Sequence, residues 1–365
     1  MVFVVFADLH LDASFHWASP RTASRRRQAR RDTLERILGV ADEVDADAIL
    51  CPGDLYEQDR FTPDTREFLR GVFGRTHRRI LIAPGNHDWF GPQSLYAETR
   101  WSSNVELFKQ DVLAPIEFVE GLTIWGAAFT RPTRASGFFQ GGFSVDRGGI
   151  HLALFHGSEN SGLPFETEKA PYAPFVVSDI ERAGLSHAFV GHYHTPRGGA
   201  LHTYPGNPDP LTFGETGDRG VAIAEVASDG TVRIERRTVA VSSVHDLEVD
   251  VTGCSSLQDI LERTAELLHG RNGVARLTLC GELSPDVELD LQPICDVTHE
   301  LDDLVVRSSE LHACYDLDSL AQEATVRGQF VRDVRASRDI DESDRRKVLV
   351  TGLRALDGRN DLECF

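Results

Sequence analysis

The sequence predicts an α/β fold, and three observations predict it. Short apolar runs of strand length alternate with stretches of helical periodicity. The polar residues that close the first three runs, Asp8, Asp54 and Asn86, are spaced as successive βα units, each of which needs about 30 residues or more. The same runs end in carboxylate, amide or imidazole side chains, and the carboxyl ends of strands are where open α/β sheets place ligands. At 365 residues the chain exceeds the usual size of one domain, so two are expected.

The elements justify this in order. Met1 to Phe6 is apolar but short, has no basic leader and runs directly into Asp8 and His10; it reads as a strand and not as a signal peptide. In Asp8-Leu9-His10, residues two apart on an extended segment point the same way, so one carboxylate and one imidazole face one point. Arg21 to Arg36 follows, with Arg25-Arg26-Arg27 and Arg30-Arg31 ahead of a helical pattern in Leu34, Ile37, Leu38 and Val40. These arginines read as the solvated face of a helix or, alternatively, as a phosphate-contacting track beside the site. Asp47 to Pro52 is a second buried strand and delivers Gly53-Asp54-Leu55-Tyr56. After a helix around Asp64 to Phe73, the strand Arg79 to Ala83 delivers Gly85-Asn86-His87-Asp88. That turn offers a neutral oxygen ligand, an imidazole and a carboxylate together, although Gly-Asn is also an ordinary turn dipeptide.

Leu122 to Gly126 reads as a strand and Phe138 to Gly149 as a glycine-rich loop, a lid by one reading. Ile150 to Gly157 repeats the device of an apolar strand ending in a ligand type; His151 begins it and His156 ends it, so only His156 is assigned to the site. Ala188 to His194 does the same with His192 and His194. Tyr204 to Pro208 reads as a loop and Gly220 to Val226 as a closing strand. From about Val241 the texture changes: His245 to Val251 alternates as a half-buried strand, Leu257 to Leu268 is helical, and Gly273 to Cys280 alternates again, a small β-α-β domain. Beyond Arg327 the chain is heavily charged, and Glu342 to Leu356 forms an amphipathic helix with Val348, Leu349, Leu353 and Leu356 on its apolar side; such a helix docks on its own chain, the commoner case, or on a partner, and a partner is the expectation here.

Composition narrows the classes. The formal charge is -19, which argues against a free-standing nucleic-acid binder with a basic surface. Residues 1 to 240 carry 31 acidic and 25 basic groups while 241 to 365 carry 26 and 13, so most of the excess lies outside the half that holds the chemistry. The six cysteines, Cys51, Cys254, Cys280, Cys295, Cys314 and Cys364, show no C-x-x-C spacing; they are expected to be free and mostly buried. No apolar run approaches the roughly 20 residues of a membrane helix. A cytoplasmic protein without a membrane partner is expected.

Five strand ends thus contribute Asp8, His10, Asp54, Asn86, His156, His192 and His194, on one rim if the sheet is largely parallel there. A nitrogen and oxygen set without thiolate suits Mn²⁺, Fe²⁺ or Zn²⁺. Seven side chains are too many for one ion that must also leave room for substrate, whereas two ions sharing a bridging carboxylate fit the number. Ions about 3.5 to 4 Å apart stabilise both oxygens of an in-line displacement at phosphorus and acidify a bridging water. His87, beside Asn86, is placed to protonate the leaving alkoxide, with Asp88 orienting it.

The series D-x-H, G-D, G-N-H-D, H-G and G-H-x-H resembles the calcineurin-like metallophosphoesterase superfamily over roughly residues 1 to 240. The resemblance implies a two-sheet α/β sandwich with helices outside, a catalytic domain over 1–240, a small α+β capping domain over 241–330 and a charged helical segment over 331–365. It further implies that Asp8, His10 and His194 hold one metal, that Asn86, His156 and His192 hold the other, that Asp54 bridges them and that His87 is the general acid. Mn²⁺ is the first expectation for the pair, with Fe²⁺ or Zn²⁺ as alternatives. Within the superfamily, Asp8-Leu9-His10-Leu11-Asp12, Gly53-Asp54-Leu55-Tyr56, Tyr204 to Pro208, Phe213-Gly214-Glu215 and the segment after 241 are most similar to the SbcD and YhaO type of DNA repair exonuclease. One departure stands out: Glu57 occupies the place where the best-known nucleases of that group have a histidine.

The implied function is a dinuclear phosphodiesterase that cuts DNA as an exonuclease or endonuclease, beside an SMC-like (SbcC-type) ATPase, with a second copy of the chain as a further candidate partner. The rival readings are a phosphodiesterase or phosphatase of small-molecule or lipid-linked esters, and a subunit whose metal site is vestigial. The seven intact ligands disfavour the last.

Overall fold

The computed structural model describes residues 1–358 except 135, 146–147, 161–171, 298–299 and 340. Asp146 and Arg147 of the glycine-rich loop, and Cys364, lie outside the described residues. The contacts divide the chain into two units, Met1–Ser243 and Val244–Phe365.

In the first unit, β1 (Val2–Val5), β2 (Ala48–Cys51), β3 (Arg79–Ile82) and β4 (Val105–Leu107) pair in parallel and in that order. Between them run α1 (Pro20–Glu43), α2 (Pro63–Arg75) and the short α3 (Leu95–Glu98). Helices α1 and α2 each open on a hydroxyl cap followed by proline, Ser19-Pro20 and Thr62-Pro63. A second sheet holds β5 (Ala114–Val119), β6 (Leu122–Gly126), β7 (Ile150–His156), β8 (His187–Gly191), β9 (Arg197–Gly198) and β10 (His202–Tyr204), in the order β5-β6-β7-β8-β10-β9 and with β6, β7 and β8 parallel; α4 (Val177–Arg182) precedes β8. β11 (Gly220–Val226) then returns antiparallel to β1, and β12 (Val232–Thr238) closes that edge.

Alternation along each strand shows how the layers stack. Phe3, Val5, Leu50 and Leu81 of the first sheet meet Ile124, Leu152, Leu154 and Phe189 of the second in one buried cluster. Val4, Ile49, Ile80 and Ile82 face the other way, onto Leu34 and Ile37 of α1 and Leu69 and Val72 of α2. Ala153, Phe155, Ala188 and Val190 face Ile180 of α4 and the flanking loops. The result is the two-sheet sandwich with helices outside, its central strands β1, β2, β3, β7 and β8 buried on both faces and therefore largely apolar, while the edge strand β12 is exposed and charged.

The arginines of α1 are neither a solvated face nor a phosphate track throughout. Arg26 and Arg30 are buried at 3% and 0% exposure. Arg30 donates to the carbonyls of Leu9, Asp209 and Pro210, Arg26 donates to that of Pro210, and the Asp209 carboxylate lies 3.5 Å from Arg26. Burial pushes the Arg30 guanidinium down to about 10 despite Asp209. A helix face turned inward here ties the Asp8-Leu9-His10 segment to the loop before β11.

The second unit contains β13 (Val244–Asp250), α5 (Leu257–Leu268), β14 (Gly273–Leu283), α6 (Leu291–Cys295), β15 (Leu301–Ala313), α7 (Leu317–Gln322), α8 (Val326–Ala336) and α9 (Glu342–Leu356). Its three strands pair in parallel, and α5 opens on a reciprocal cap between Ser256 and Asp259. A boundary at 330/331 would cut α8, so the charged tail is not a segment apart. The apolar side of α9 is occupied within its own unit: Leu349 and Leu353 pack with Leu320, Val331 and Val334. Only Val348 and Leu356 of the four sequence-assigned positions stay exposed. Leu353→Ala is therefore expected to destabilise this unit by about 2–5 kcal/mol, the cost of a large-to-small change in a core, and denaturant titration reads it directly. A helix that docked only on a partner would show no such loss.

Of the described cysteines all are free, but only Cys51 and Cys254 are buried; Cys280 and Cys295 are half-buried and Cys314 is exposed. No helix among the described residues is long and apolar enough to cross a membrane.

Candidate metal centre

The predicted residues arrive from both sheets. Asp8 and His10 follow β1, Asp54 follows β2 and Asn86 follows β3, while His156 ends β7 and His192 and His194 follow β8. One rim is thus assembled from two sheets, whereas the strand order read along the chain suggests one. The loops that carry the residues are unusually bent. Asp8, His10, Asp54 and His192 have φ of 56°, 48°, 54° and 108°, the region L side chains avoid. Strain of this kind persists where surrounding structure holds it, and it clusters at functional sites. The glycines before the ligands have a packing reason: a Cβ at Gly85 or Gly191 would lie 2.8 or 2.7 Å from Nδ1 of His156. The loops close around that ring too tightly for any side chain.

Asp54 lies at the centre. Its Oδ2 is 3.7 Å from Nε2 of His10 and 3.3 Å from Nε2 of His156, while its Oδ1 accepts from the backbone N–H of His87 at 2.9 Å. Among the described residues three triplets of potential ligands converge within 4.8 Å: Asp8, His10 and His194; His10, Asp54 and His87; and Asp8, Asp54 and His156. His192 joins none of them but its ring lies 5.3 Å from that of His156, and its backbone N–H donates to Asp8 at 3.0 Å. The first predicted ligand trio is together, Asp54 lies between the two halves, and His156 and His192 are neighbours in the second.

Neighbouring groups set the imidazole tautomers. Nδ1 of His10 meets Glu57 Oε1 at 2.7 Å, Nδ1 of His156 meets the Pro52 carbonyl at 2.9 Å, and Nδ1 of His194 meets Glu215 Oε1 at 2.7 Å. An Nδ1–H donated to oxygen leaves Nε2 with its lone pair, the form that ligates a metal. Nε2 of His10, Nε2 of His156 and Oδ1 of Asn86 are buried without a hydrogen-bond partner. Such atoms cost about 1–3 kcal/mol each when left unsatisfied, and a pair of divalent cations would take them, His10 on one ion and His156 and Asn86 on the other. This donor set fits the hard-to-borderline divalent ions.

Electrostatics match. Burial pushes the Asp8 carboxyl up, against the pull of His156 and His194. Burial would do the same to Asp54, but the attraction of His156, 3.3 Å away, and of His10 and His87 holds it well below the usual carboxylate range. Burial pushes His192 down to about 3, helped by repulsion from His156, so it is neutral and free to ligate.

Two functional residues were not assigned from sequence. Glu57, noticed only as a departure from a family pattern, divides its carboxylate between His10 and His87, whose Nδ1 lies 2.9 Å from Oε2. Its position three residues after Asp54 was the available signal. Glu215 accepts from His194, Asn207 Nδ2 and the Leu211 N–H, and Asn207 in turn accepts from Arg219. The role given to Asp88 is corrected: it does not orient His87. Fully buried, it accepts from the backbone N–H groups of Gly85, Asp54 and Leu55 and from the Tyr96 hydroxyl, stapling two ligand loops together. His151 stays out of the site, its ring meeting Trp125.

Residues 1–196, more than half of the chain, match the calcineurin-like phosphoesterase family. The chain belongs to that family. The family's chemistry is metal-dependent phosphoester hydrolysis with divalent ions as cofactor, and the residues above are this chain's candidates to hold them. Among curated proteins it is 26% identical over 280 residues to the uncharacterized metallophosphoesterase YhaO of Bacillus subtilis (strain 168), covering 72% of this chain and 66% of that relative, just under two thirds. The crystal structure of TT1561 of Thermus thermophilus aligns at 13% identity over 65% of this chain and 98% of that one, with a TM-score of 0.41, too loose to carry an argument.

For this phosphoesterase, Glu57→Gln is expected to cost roughly 10–100-fold in turnover or metal affinity, the scale of losing an orienting partner. A glutamine offers one acceptor where two Nδ1–H groups need one each. Rates and metal content measured on the same preparation check it; unchanged values would reduce Glu57 to a surface contact.

Proposed function

We propose that the chain is a dinuclear phosphodiesterase acting on DNA, of the SbcD type, working in repair with an SMC-like ATPase. The observation that supports it best is the convergence of Asp8, His10, Asp54, His156, His192 and His194 with His87 beside them, its Nδ1 held by Glu57 and its ring 45% exposed. When bound, the two ions supply Lewis acidity at phosphorus and an activated water. The chain's own residues do the rest. Asp54 keeps both halves of the site in register, and Glu57, Glu215 and the Pro52 carbonyl fix the imidazoles. His87 holds the proton for the leaving oxygen: burial would lower its pKa, but Glu57, Asp54 and Asp88 carry it up to about 9. Asp8 and His10 assigned to one ion, Asn86, His156 and His192 to the other, with His194 joining the first, remain the proposed ligand sets.

Hydrolysis of a small-molecule phosphodiester is the second reading, and the charge of -19 favours it, because DNA binding leans on cationic contacts. An ATPase partner would supply those cations. The test is to load the metal-stripped chain with Mn²⁺, Fe²⁺ or Zn²⁺ and assay bis-p-nitrophenyl phosphate, linear DNA and a cyclic nucleotide. Cleavage of DNA, raised by the partner with ATP, is expected. Turnover of the cyclic nucleotide alone would select the second reading.

A further inference from the structure

We infer that the cleft beside His87 is the leaving-group subsite and takes a planar, uncharged ring, a nucleobase of the leaving nucleoside; this deepens the phosphodiesterase reading and rests on it. The cleft has a volume of about 540 Å³ and its lining includes Gln58, Asp59, Phe61, Trp89, Gln93 and Ser94. That is within the range of roughly 300–1,000 Å³ of small-molecule sites.

Its position follows from the acid. A general acid must reach the leaving oxygen, so the group attached to that oxygen lies beyond His87, away from the ligand cluster. The cleft is lined by the chain neighbours of His87 and its partner Glu57 and by none of the proposed ligands. One wall starts at Gln58, next to the Glu57 that holds His87, and the other at Trp89, two residues past His87. The walls are tied together: the Gln58 N–H donates to the His87 carbonyl at 2.9 Å, and Gln58 Nε2 donates to the Gln93 carbonyl at 3.1 Å.

Its chemistry selects the ring. Trp89 and Phe61 are both half-buried, so each keeps some surface for a ligand. Phe61 is fixed by the edge of Tyr56, with centroids 5.6 Å apart at 83°, and by its N–H on the Glu57 carbonyl. The Tyr56 hydroxyl donates to Gln58 Oε1 at 2.7 Å, which sets the amide at the base of the wall. Bases stack on aromatic faces regardless of sequence. The cleft's lining includes no cation and one carboxylate, Asp59, so a second phosphate is repelled and a neutral ring is not.

The experiment is an NMR titration of the full chain with thymidine, which has no ester to hydrolyse. Wild type and His156→Ala are expected to bind it, Trp89→Phe to keep most of the affinity, and Trp89→Ala to lose about 10-fold or more. Kinetics follow on two diesters with the same acid portion, thymidylyl-thymidine and thymidine methyl phosphate. Trp89→Ala should lose about 10-fold in kcat/KM on the first and little on release of methanol from the second, a leaving group with no ring to seat. No thymidine binding by wild type, or equal binding by Trp89→Ala and Trp89→Phe, overturns the subsite whether or not diesters are hydrolysed. Equal kinetic losses on both diesters overturn its assignment to the leaving group. Thymidine binding without turnover of either diester under any metal supports a ring site and overturns the phosphodiesterase reading instead.

Discussion

Asp54→Asn is expected to abolish turnover and to lower occupancy of both metal positions. The carboxylate is buried between His10 and His156, and the cationic environment holds it ionised well below the usual range. An amide carries no charge and presents one oxygen, so it can neither neutralise two dications nor bridge them. The loss should exceed the roughly 10–100-fold that follows from removing a mere orienting group. The backbone N–H of His87 keeps an acceptor if the amide oxygen turns toward it, so the loop should survive; circular dichroism separates loss of metal from loss of fold. Metal analysis after gel filtration, beside the rate, is the decisive measurement. Full activity with two ions bound would end the dinuclear reading.

His87→Gln is expected to keep both metals and to lose about 10²–10⁴-fold on DNA, the scale of general acid catalysis. A deoxyribose alkoxide is a poor leaving group and needs the proton, whereas nitrophenolate does not. On bis-p-nitrophenyl phosphate the loss should therefore be small. Geometry places His87 for either of two roles, since it also lies within 4.8 Å of ligand atoms on His10 and Asp54. Paired rates on the two substrates distinguish them: equal losses, or loss of an ion, would make His87 a ligand or a positioning residue.

The fold was legible where its signals are local. Gly220–Val226, Leu257–Leu268 and Glu342–Leu356 have the ends that periodicity and turn residues indicate, because the period of a strand or helix is written in neighbouring side chains. The seven ligand types and His87 could be picked out for a similar reason: each follows an apolar run, and a polar group at a strand's carboxyl end has few structural uses. Alone, the sequence thus singled out the candidate residues for the chemistry and the order in which they come.

Tertiary structure decided what those residues touch. A strand buried on both faces has no alternation to show which face meets which layer, so the division of the rim between two sheets came only from packing. Glu57 reaches His10 across 47 positions and Arg26 reaches the Pro210 carbonyl across 184, separations at which no pattern in the chain encodes contact. Asp88 adjoins His87 in sequence yet bonds other groups, because the turn directs its carboxylate into the buried loops while His87 faces outward. A charge's role depends on its surroundings: the arginines of α1 look alike in the chain, and burial alone made Arg30 a brace for the Asp8-Leu9-His10 loop while Arg25 stayed exposed.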